Sequence, residues 1–383
     1  MNKTKLILSL LMAFACIMLV ACARTLTGEA VKESTAIKIG AINPMSGPLA
    51  VYGLEYSRGI KMAVEEINAE GGINGKPIEV IYEDDKGDPK ESATIANRLI
   101  YVEKTPIILT SMSSTTQATA PIANNNRIVM ISATVTKVGD IGEYVFRDYW
   151  DMEEQGVALG QVIKEKGYKK VGIIAIEWAD YPIFMRGLKS VIGDDVELKE
   201  EKFNFGDADF RTQLTKLKAF DPDVILLYSF PGNELINIVQ QIFELDMQRP
   251  LLDGATGLGW GFMTEALVPL LKQTEVIANW YGLSPEDPKV KDFKENYEQR
   301  YQEPLNGDAA YTYDDIYALK TALEACDAKG KVTDTDCIRD ELLKTDLDGI
   351  AGRLVFDKNG NSEREWFLQT YTEDGWKEYA VQE

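Results

Sequence analysis

Apolar, β-branched segments alternate with segments of helical periodicity along most of this chain, and this alternation limits the possible folds more than any other feature. Before Arg147, strand patterns lie at 37–42, 78–82 and 107–109, and helix patterns lie at 56–70 and 89–102. After it come strand patterns at 171–176, 196–202 and 223–228, among helix patterns at 155–166, 181–192, 210–219 and 233–245. Strands and helices that alternate at this spacing form βαβ units on parallel sheets. The sequence therefore predicts an α/β fold with two doubly wound parallel-sheet lobes.

Residues 1–21 have the features of a signal peptide. Lys3 and Lys5 precede an apolar stretch of 16 residues at 6–21, which is shorter than the roughly 20 residues that a membrane-spanning helix needs. The stretch ends in LVAC, which looks like a lipobox and makes Cys22 the expected site of lipidation. An ordinary signal peptide or an uncleaved anchor is the alternative. Residues 22–36 are small and polar, so we predict a flexible tether between the lipid and the folded part.

Composition argues against several classes of function. The 383 residues include no histidine, which removes histidine-based acid–base catalysis, the Ser-His-Asp triad and histidine-ligated metal sites. The net charge is -20, with 61 acidic and 41 basic residues, which disfavours a nucleic acid partner. No strand pattern is followed by a glycine-rich phosphate-binding motif. We expect no enzyme activity, no cofactor and no metal.

The cysteines have distinct predicted roles. Cys16 lies in the signal peptide and Cys22 is the predicted lipid-bearing residue. Cys326 and Cys337 remain as an even pair, and in an oxidising compartment such a pair is expected to form a disulfide.

The segment SMSSTTQ at 111–117 contains five hydroxyl side chains and no charge, directly after the strand pattern at 107–109. A helix-like segment at 118–124 follows it. Ligands of parallel α/β sheets bind at the carboxyl ends of the strands, where helix N-termini offer unpaired N–H groups. Because one hydroxyl is enough to cap a helix, we expect the others to help bind an anion such as a carboxylate.

Several segments taken together resemble one known family. They are IGAINPMSGPLAVYG (39–53), INAEGGINGKPIEVIYEDDKGDP (67–89), SSTTQATAPIAN (113–124), YVFRD (144–148), AAYTYDDIYALKTALE (309–324) and GRLVFDKNGN (352–361). They are similar to the leucine/isoleucine/valine-binding proteins, the type I periplasmic solute-binding subunits of branched-chain amino acid ABC transporters. The resemblance implies a periplasmic binding protein type I fold. Its first lobe would comprise 37–149 and 280–362, and its second lobe 150–279 and 363–383, joined by a hinge.

The same resemblance implies a function. It is that of a lipid-anchored extracytoplasmic receptor, which closes two lobes around a small polar ligand and delivers it to the permease of an ABC importer. We expect the ligand to be an amino acid or a related carboxylate or amide, and the protein to be a monomer that meets the membrane only through its lipid. A receptor of this fold that signals through a partner is the alternative. A hydrolase that uses the carboxylates at 83–85 is a weaker one.

The resemblance also implies ligand-binding positions. In chain order they are Tyr52, Ser113, Ser114, Thr134 or Thr136, Tyr181, Phe230 and Thr256. Ser113 and Ser114 match the family's contacts to the ligand's α-carboxylate, and Tyr181 matches a tyrosine whose following glycine is replaced here by Pro182. Tyr149 and Trp150 lie at the expected crossover between the lobes, where they could line the cleft, but we expect them to pack at the hinge.

Thr256 departs from the family pattern, which has at that position an acidic residue paired with the ligand's ammonium group. A buried ammonium without a carboxylate partner costs on the order of a few kcal/mol. Asp253 lies three residues earlier, within the expected strand end, and is a weak substitute. The sequence therefore predicts a ligand without the amine, such as a carboxylate, an aromatic acid, an amide or urea.

Replacing Cys22 with serine removes the sulfur that would carry the lipid, so we expect the variant to leave the membrane. Phase partitioning in detergent, together with incorporation of labelled fatty acid, measures this. The control is Cys16→Ser, because that residue is removed with the signal peptide. A Cys22→Ser protein that stays in the detergent phase and still carries the label would contradict the lipobox.

Overall fold

The computed structural model describes residues 36–135, 138, 141–178, 180–255, 257–259, 261–281, 283, 287–362, 364 and 366–379. Its first sheet contains the strands β1 (Ile37–Asn43), β2 (Ile78–Asp84), β3 (Ile107–Ser111), β4 (Val129–Ala133) and β5 (Val145–Arg147). These five strands are all parallel, in the order β2-β1-β3-β4-β5.

The second large sheet repeats this order and extends it. The remaining strands are β6 (Lys170–Ile176), β7 (Glu197–Phe203), β8 (Val224–Tyr228), β9 (Leu251–Asp253), β10 (Val276–Tyr281), β11 (Asp346–Gly349), β12 (Gly352–Val355), β13 (Trp366–Thr372) and β14 (Gly375–Tyr379). Strands β6 to β10 are parallel in the order β7-β6-β8-β9-β10. Strands β13 and β14 continue that sheet in antiparallel pairing, and β11 pairs with β12 as a separate ribbon.

Helices connect the parallel strands. They are α1 (Ala50–Ala69), α2 (Pro89–Arg98), α3 (Ser113–Asn125), α4 (Met152–Glu165), α5 (Tyr181–Ile192), α6 (Arg211–Phe220), α7 (Asn233–Glu244), α8 (Gly261–Leu271), α9 (Pro288–Tyr301), α10 (Asp308–Asp327) and α11 (Thr335–Leu342). A π-helical turn continues α2 over Leu99–Glu103, and a 3-10 turn lies at Gly257–Gly259. Strands β3, β4 and β8 are buried along their whole length, as expected for parallel strands that are covered on both faces. Among the helices of the described residues, none is both long and apolar enough to cross a membrane.

The predicted α/β class with two doubly wound sheets is confirmed, and the differences from the predicted elements have local causes. Helix α3 begins at Ser113, five residues before the predicted helix-like segment. Two of its threonines bond back along the chain, since Thr115 donates to the carbonyl of Ser111 and Thr119 to that of Thr115. Hydroxyl side chains that bond back in this way can be buried on a helix. Because they are polar, they give no apolar periodicity from which the start of the helix could be predicted. The antiparallel pair β13 and β14 was not predicted.

Two cysteines join neighbouring helices. Cys326 in α10 and Cys337 in α11 form a disulfide, with their Cα atoms 5.9 Å apart, as the sequence predicted. Both residues are buried in the apolar cluster beneath the first sheet.

The chain passes three times between the part packed on the first sheet and the part packed on the second: after β5, after β10 and between β12 and β13. A buried ion-pair network joins the first and third crossings. Arg364 donates from Nε to Asp148 at 2.9 Å and from Nη1 to Asp314 on α10 at 2.9 Å. No side chain in this triad is more than 2% exposed. The backbones of the two crossings also bond, through Arg147 and Ser362.

Replacing Arg364 with alanine leaves two carboxylates buried without their cation, so we expect a loss of about 3–5 kcal/mol in the free energy of unfolding. Urea denaturation of residues 34–383 measures it. The control is Arg353→Ala, which removes an exposed ion pair with Asp346 and should cost less than about 1 kcal/mol. Equal denaturation midpoints for the two variants would refute the role assigned to Arg364.

Candidate ligand-binding site

The two large sheets present the same topological feature to one cavity. In a doubly wound sheet, ligands bind where the strand order reverses, outside the carboxyl ends of the strands. The order reverses between β1 and β3 in the first sheet and between β6 and β8 in the second. The segments that follow these strands line a cavity with about 660 Å³ of empty space, including its open mouth.

Residues from both sheets and from the first crossing line this cavity. The first sheet contributes Leu49, Tyr52, Tyr56, Met112, Ser113, Ala133, Thr134 and Val135. The second contributes Trp178, Asp180, Tyr228, Phe230, Pro231 and Ala255, and the crossing contributes Tyr149, Trp150 and Met152.

The N-terminus of α3 points its first turn at the cavity. Met112 precedes the helix with a φ of 67°, a conformation that costs a non-glycine residue free energy. It makes no side-chain cap for α3. Ser113, the first helical residue, accepts a hydrogen bond from the hydroxyl of Thr134 at 3.0 Å. The positive end of the helix dipole and these hydroxyls together form a cradle suited to a negative group.

The negative group already present beside this cradle is Asp180. Ser113 Oγ donates to Asp180 Oδ2 at 3.1 Å, so the hydrogen bond joins the first sheet's loops to those of the second. Asp180 precedes α5 in the N-cap position but makes no side-chain cap there. The aspartates that precede other helices, Asp88, Asp151, Asp287 and Asp334, do accept from their own helices. An aspartate at this position ordinarily caps the helix that follows it. Asp180 instead lines the cavity.

Aromatic rings form most of the cavity wall. Tyr52 meets Phe230 edge to face with ring centroids 6.0 Å apart, and Trp178 meets Phe230 at 5.1 Å and 90°. Burial raises the pKa of Tyr52 and Tyr228 well above the usual value, and nearby carboxylates raise them further. These phenols are therefore neutral at physiological pH, and Asp180 has the one carboxyl group among the described lining residues.

The structure brings together only some of the predicted ligand-binding residues. Tyr52, Ser113, Thr134 and Phe230 line the cavity. Ser114 does not, because it lies on the next position around α3. The predictions for Thr136, Thr256 and Cys22 fall outside the described residues.

Three aromatic residues are placed differently from the sequence-based expectation. Tyr181 does not line the cavity, because its hydroxyl donates to Glu200 at 2.9 Å and its ring packs behind Tyr228. Tyr149 and Trp150, for which hinge packing was favoured over lining the cleft, do line the cavity, and their ring centroids lie 3.5 Å apart.

Sequence reasoning missed Asp180 and Trp178. Both lie in the loop after β6, the second sheet's counterpart of β1. The signal that could have found them is that loop's position at the carboxyl end of a strand next to the reversal of strand order.

A pair of buried carboxyls lies behind the cavity. Tyr56 donates to Tyr149 at 2.9 Å, and Tyr149 donates to Asp308 at 2.6 Å. Burial and the neighbouring charge of Glu55 raise the pKa of Asp308 well above its usual value. Burial likewise raises the pKa of Glu55 to about 7, even though it accepts two hydrogen bonds from Asn306.

A two-lobed binding protein is the class that this fold and cavity define. The chain matches the Periplasmic binding protein family over residues 36–375, and it belongs to that family. It is 25% identical over 334 residues to the leucine-, isoleucine-, valine-, threonine-, and alanine-binding protein of Pseudomonas aeruginosa, covering 85% of this chain and 87% of the relative.

Solved structures agree with this assignment. LivJ, the branched-chain amino acid transporter substrate-binding protein of Streptococcus pneumoniae in complex with isoleucine, is 27% identical with a TM-score of 0.78, covering 90% of this chain and 99% of that one. A solute-binding protein of an ABC transporter from R. palustris, in complex with benzoate, shares the fold at 20% identity and a TM-score of 0.77, covering 90% and 95%. The chain is thus a member of a family of binding proteins, and the relatives that it resembles are named as solute-binding proteins.

The raised pKa of Glu55 predicts how stability depends on pH. A carboxyl whose pKa is higher in the folded than in the unfolded state holds its proton more tightly when folded. Its contribution is complete below the ordinary value of 4.5 and is lost as pH rises through about 7. Urea midpoints of residues 34–383 should therefore fall between pH 5 and pH 7.5. Asp308→Asn should flatten this fall, because the raised pKa of Asp308 contributes to it as well, whereas the exposed Asp292→Asn should leave it unchanged. An equally steep fall in Asp308→Asn would contradict the pairing.

Proposed function

We propose that this protein is a lipid-anchored extracytoplasmic receptor that captures an amino acid or a closely related small polar solute and delivers it to the permease of an ABC importer. The lipid would be attached at Cys22, and residues 22–36 would hold the folded part away from the membrane. The folded part would consist of a first lobe at 37–149 and 280–362 and a second lobe at 150–279 and 363–383.

One observation carries this proposal: the cavity is lined from both sheets, with the loops of one facing the loops of the other. A solute held there touches both lobes and is removed from water only when they are together. Such a solute stabilises the closed arrangement by its differential affinity, which is the basis of hinge closure in periplasmic binding proteins. The three crossings between the sheets supply the connections about which the lobes would turn.

The relatives and the cavity support an amino acid as the solute. The Pseudomonas aeruginosa relative is named for five amino acids and LivJ holds isoleucine. In this chain, the uncapped N-terminus of α3 suits a carboxylate and the aromatic wall suits an apolar side chain.

Ser113→Ala should weaken binding of the best amino acid by ten- to hundredfold. The change removes a hydroxyl that bonds a charged group, and such bonds contribute about 1.5–3 kcal/mol. A thermal-shift screen with the twenty amino acids, benzoate, amides and urea identifies the solute, since binding to the folded state alone raises its stability. Isothermal titration then compares the variant with wild type.

The control for that titration is Ser190→Ala, because the hydroxyl of Ser190 bonds within α5, to the carbonyl of Gly187. If Ser113→Ala bound the solute with wild-type affinity, the hydroxyl of Ser113 in the α3 cradle would not be part of the binding site. If none of the compounds raised the melting temperature, the proposed function as a receptor for this class of solute would be refuted.

A further inference from the structure

A second cavity, the crossing pocket, lies where the first and third crossings meet. It contains about 860 Å³ of empty space, including its open mouth. Its lining is mostly polar and includes Arg147, Asp151, Asp357, Asn361, Ser362 and Arg364. Tyr149 and Trp150 line both this pocket and the cavity between the two sheets. The crossing pocket is therefore a separate, polar neighbour of the candidate ligand-binding site.

Arg147, the last residue of β5, is a buried cation in this pocket. Its side chain is 2% exposed. Nη1 donates to the carbonyl of Trp150 at 3.0 Å and Nη2 to that of Ser362 at 3.5 Å. Nε has no hydrogen-bond partner among the described residues, and no ion pair within the described part of the chain includes Arg147. The guanidinium thus has more N–H donors than acceptors in its described surroundings.

The carboxylates around Arg147 do not fully compensate its charge. Burial lowers the pKa of Arg147, although four neighbouring carboxylates act in the opposite direction. They belong to Asp151, Asp148, Glu154 and Asp357. Asp151 and Asp357 each accept from two backbone N–H groups of their own segments. Asp148 belongs to the buried ion-pair network between the crossings, and Glu154 is exposed. Because an incompletely paired buried charge is costly, a bound anion would stabilise this site.

Two side chains of the third crossing add further hydrogen-bond donors. Ser362 is 6% exposed, and its hydroxyl has no partner among the described residues. Asn361 is 8% exposed and accepts through its amide oxygen from the backbone of Val138 at 3.1 Å, so its amide nitrogen is left to donate elsewhere. Buried donors without acceptors cost free energy. Together with Arg147, these donors favour a ligand that has several acceptor atoms and a negative charge.

We propose that the crossing pocket binds a small oxyanion, such as a carboxylate, sulfate or phosphate ion, with Arg147 as its charged partner and Ser362 and Asn361 as further donors. A planar guanidinium binds two oxygens of such an anion side by side, and a spherical halide offers no matching pair of acceptors. Because Arg147 ends β5 and the other two residues lie in the third crossing, the bound oxyanion would connect the two crossings. The site is separate from the solute cavity, so the inference does not depend on the solute of the proposed receptor.

Isothermal titration of the complete wild-type chain in mild detergent tests the site, with sodium acetate, sulfate and phosphate as probes. Tris serves as the buffer because it contains no oxyanion, and sodium chloride keeps the ionic strength constant. We expect at least one of the three ions to bind in the millimolar range or tighter, and to raise the melting temperature at the same concentrations. If none of the three ions binds, the inference is overturned.

Substitutions in the pocket test the assigned residues. Arg147→Lys keeps the positive charge but removes the planar pair of donors, so it should weaken oxyanion binding by about tenfold or more. Ser362→Ala removes a hydrogen bond to a charged group and should also weaken binding by about tenfold. The control is Arg98→Lys, a change at an exposed arginine that is paired with Glu83, and it should bind as wild type does. Should Arg147→Lys fail to fold, as judged by its melting curve, Ser362→Ala decides.

Ser113→Ala distinguishes the crossing pocket from the α3 cradle, which also suits an anion. If oxyanion binding is lost in Ser113→Ala and unchanged in Ser362→Ala, the ion binds in the cavity between the sheets and the inference is wrong. Equal affinities in wild type, Arg147→Lys and Ser362→Ala would overturn it as well. Neither result bears on the proposed receptor function, which the amino acid titrations test.

Discussion

The arrangement of the whole molecule depends on one guanidinium that is buried between two carboxylates. Arg364, in the third crossing, bonds Asp148 in the first crossing and Asp314 on α10. Charges removed from water are tolerated only where each of them is paired, so this network holds the first and third crossings together. The ring of Tyr311 lies 5.2 Å from the guanidinium and 5.2 Å from the ring of Tyr149, which lines the cavity. The network that joins the lobes therefore also supports one wall of the cavity.

Strand order explains why the site lies where it does. Each large sheet has its first strand second from the edge, so each has one reversal of strand order and one set of loops beside it. In the first sheet that set leads into α3 and includes Ser113, and in the second it leads into α5 and includes Asp180. The hydrogen bond between Ser113, which follows β3, and Asp180, which follows β6, thus joins segments that lie beside the reversals of the two sheets. Neither lobe alone contains the site.

The sequence predicted the fold better than the site, for a physical reason. Periodicity reports which residues are buried, and the buried strands of both sheets have clear patterns. The hydroxyls at 111–117 could be placed because they follow such a strand, and Ser113 does line the cavity. Asp180 could not be placed in this way, because an aspartate before a helix ordinarily caps it. Trp150 was expected to pack at the hinge because an aromatic pair in a crossing has no periodicity that distinguishes a wall from a core.

The contact between Tyr52 and Phe230 affects the equilibrium between the open and closed forms of the ligand-free protein. The two rings come from opposite lobes, and parting the lobes would bring apolar surface into water at about 25 cal/mol per Å². A hinged protein with such a contact has an intrinsic tendency to close in the absence of ligand. The fraction of ligand-free protein that is closed depends on the size of these rings. Smaller rings would give a receptor that is mostly open and binds its ligand quickly. Larger rings would give a receptor that is mostly closed, so that it binds and releases its ligand slowly.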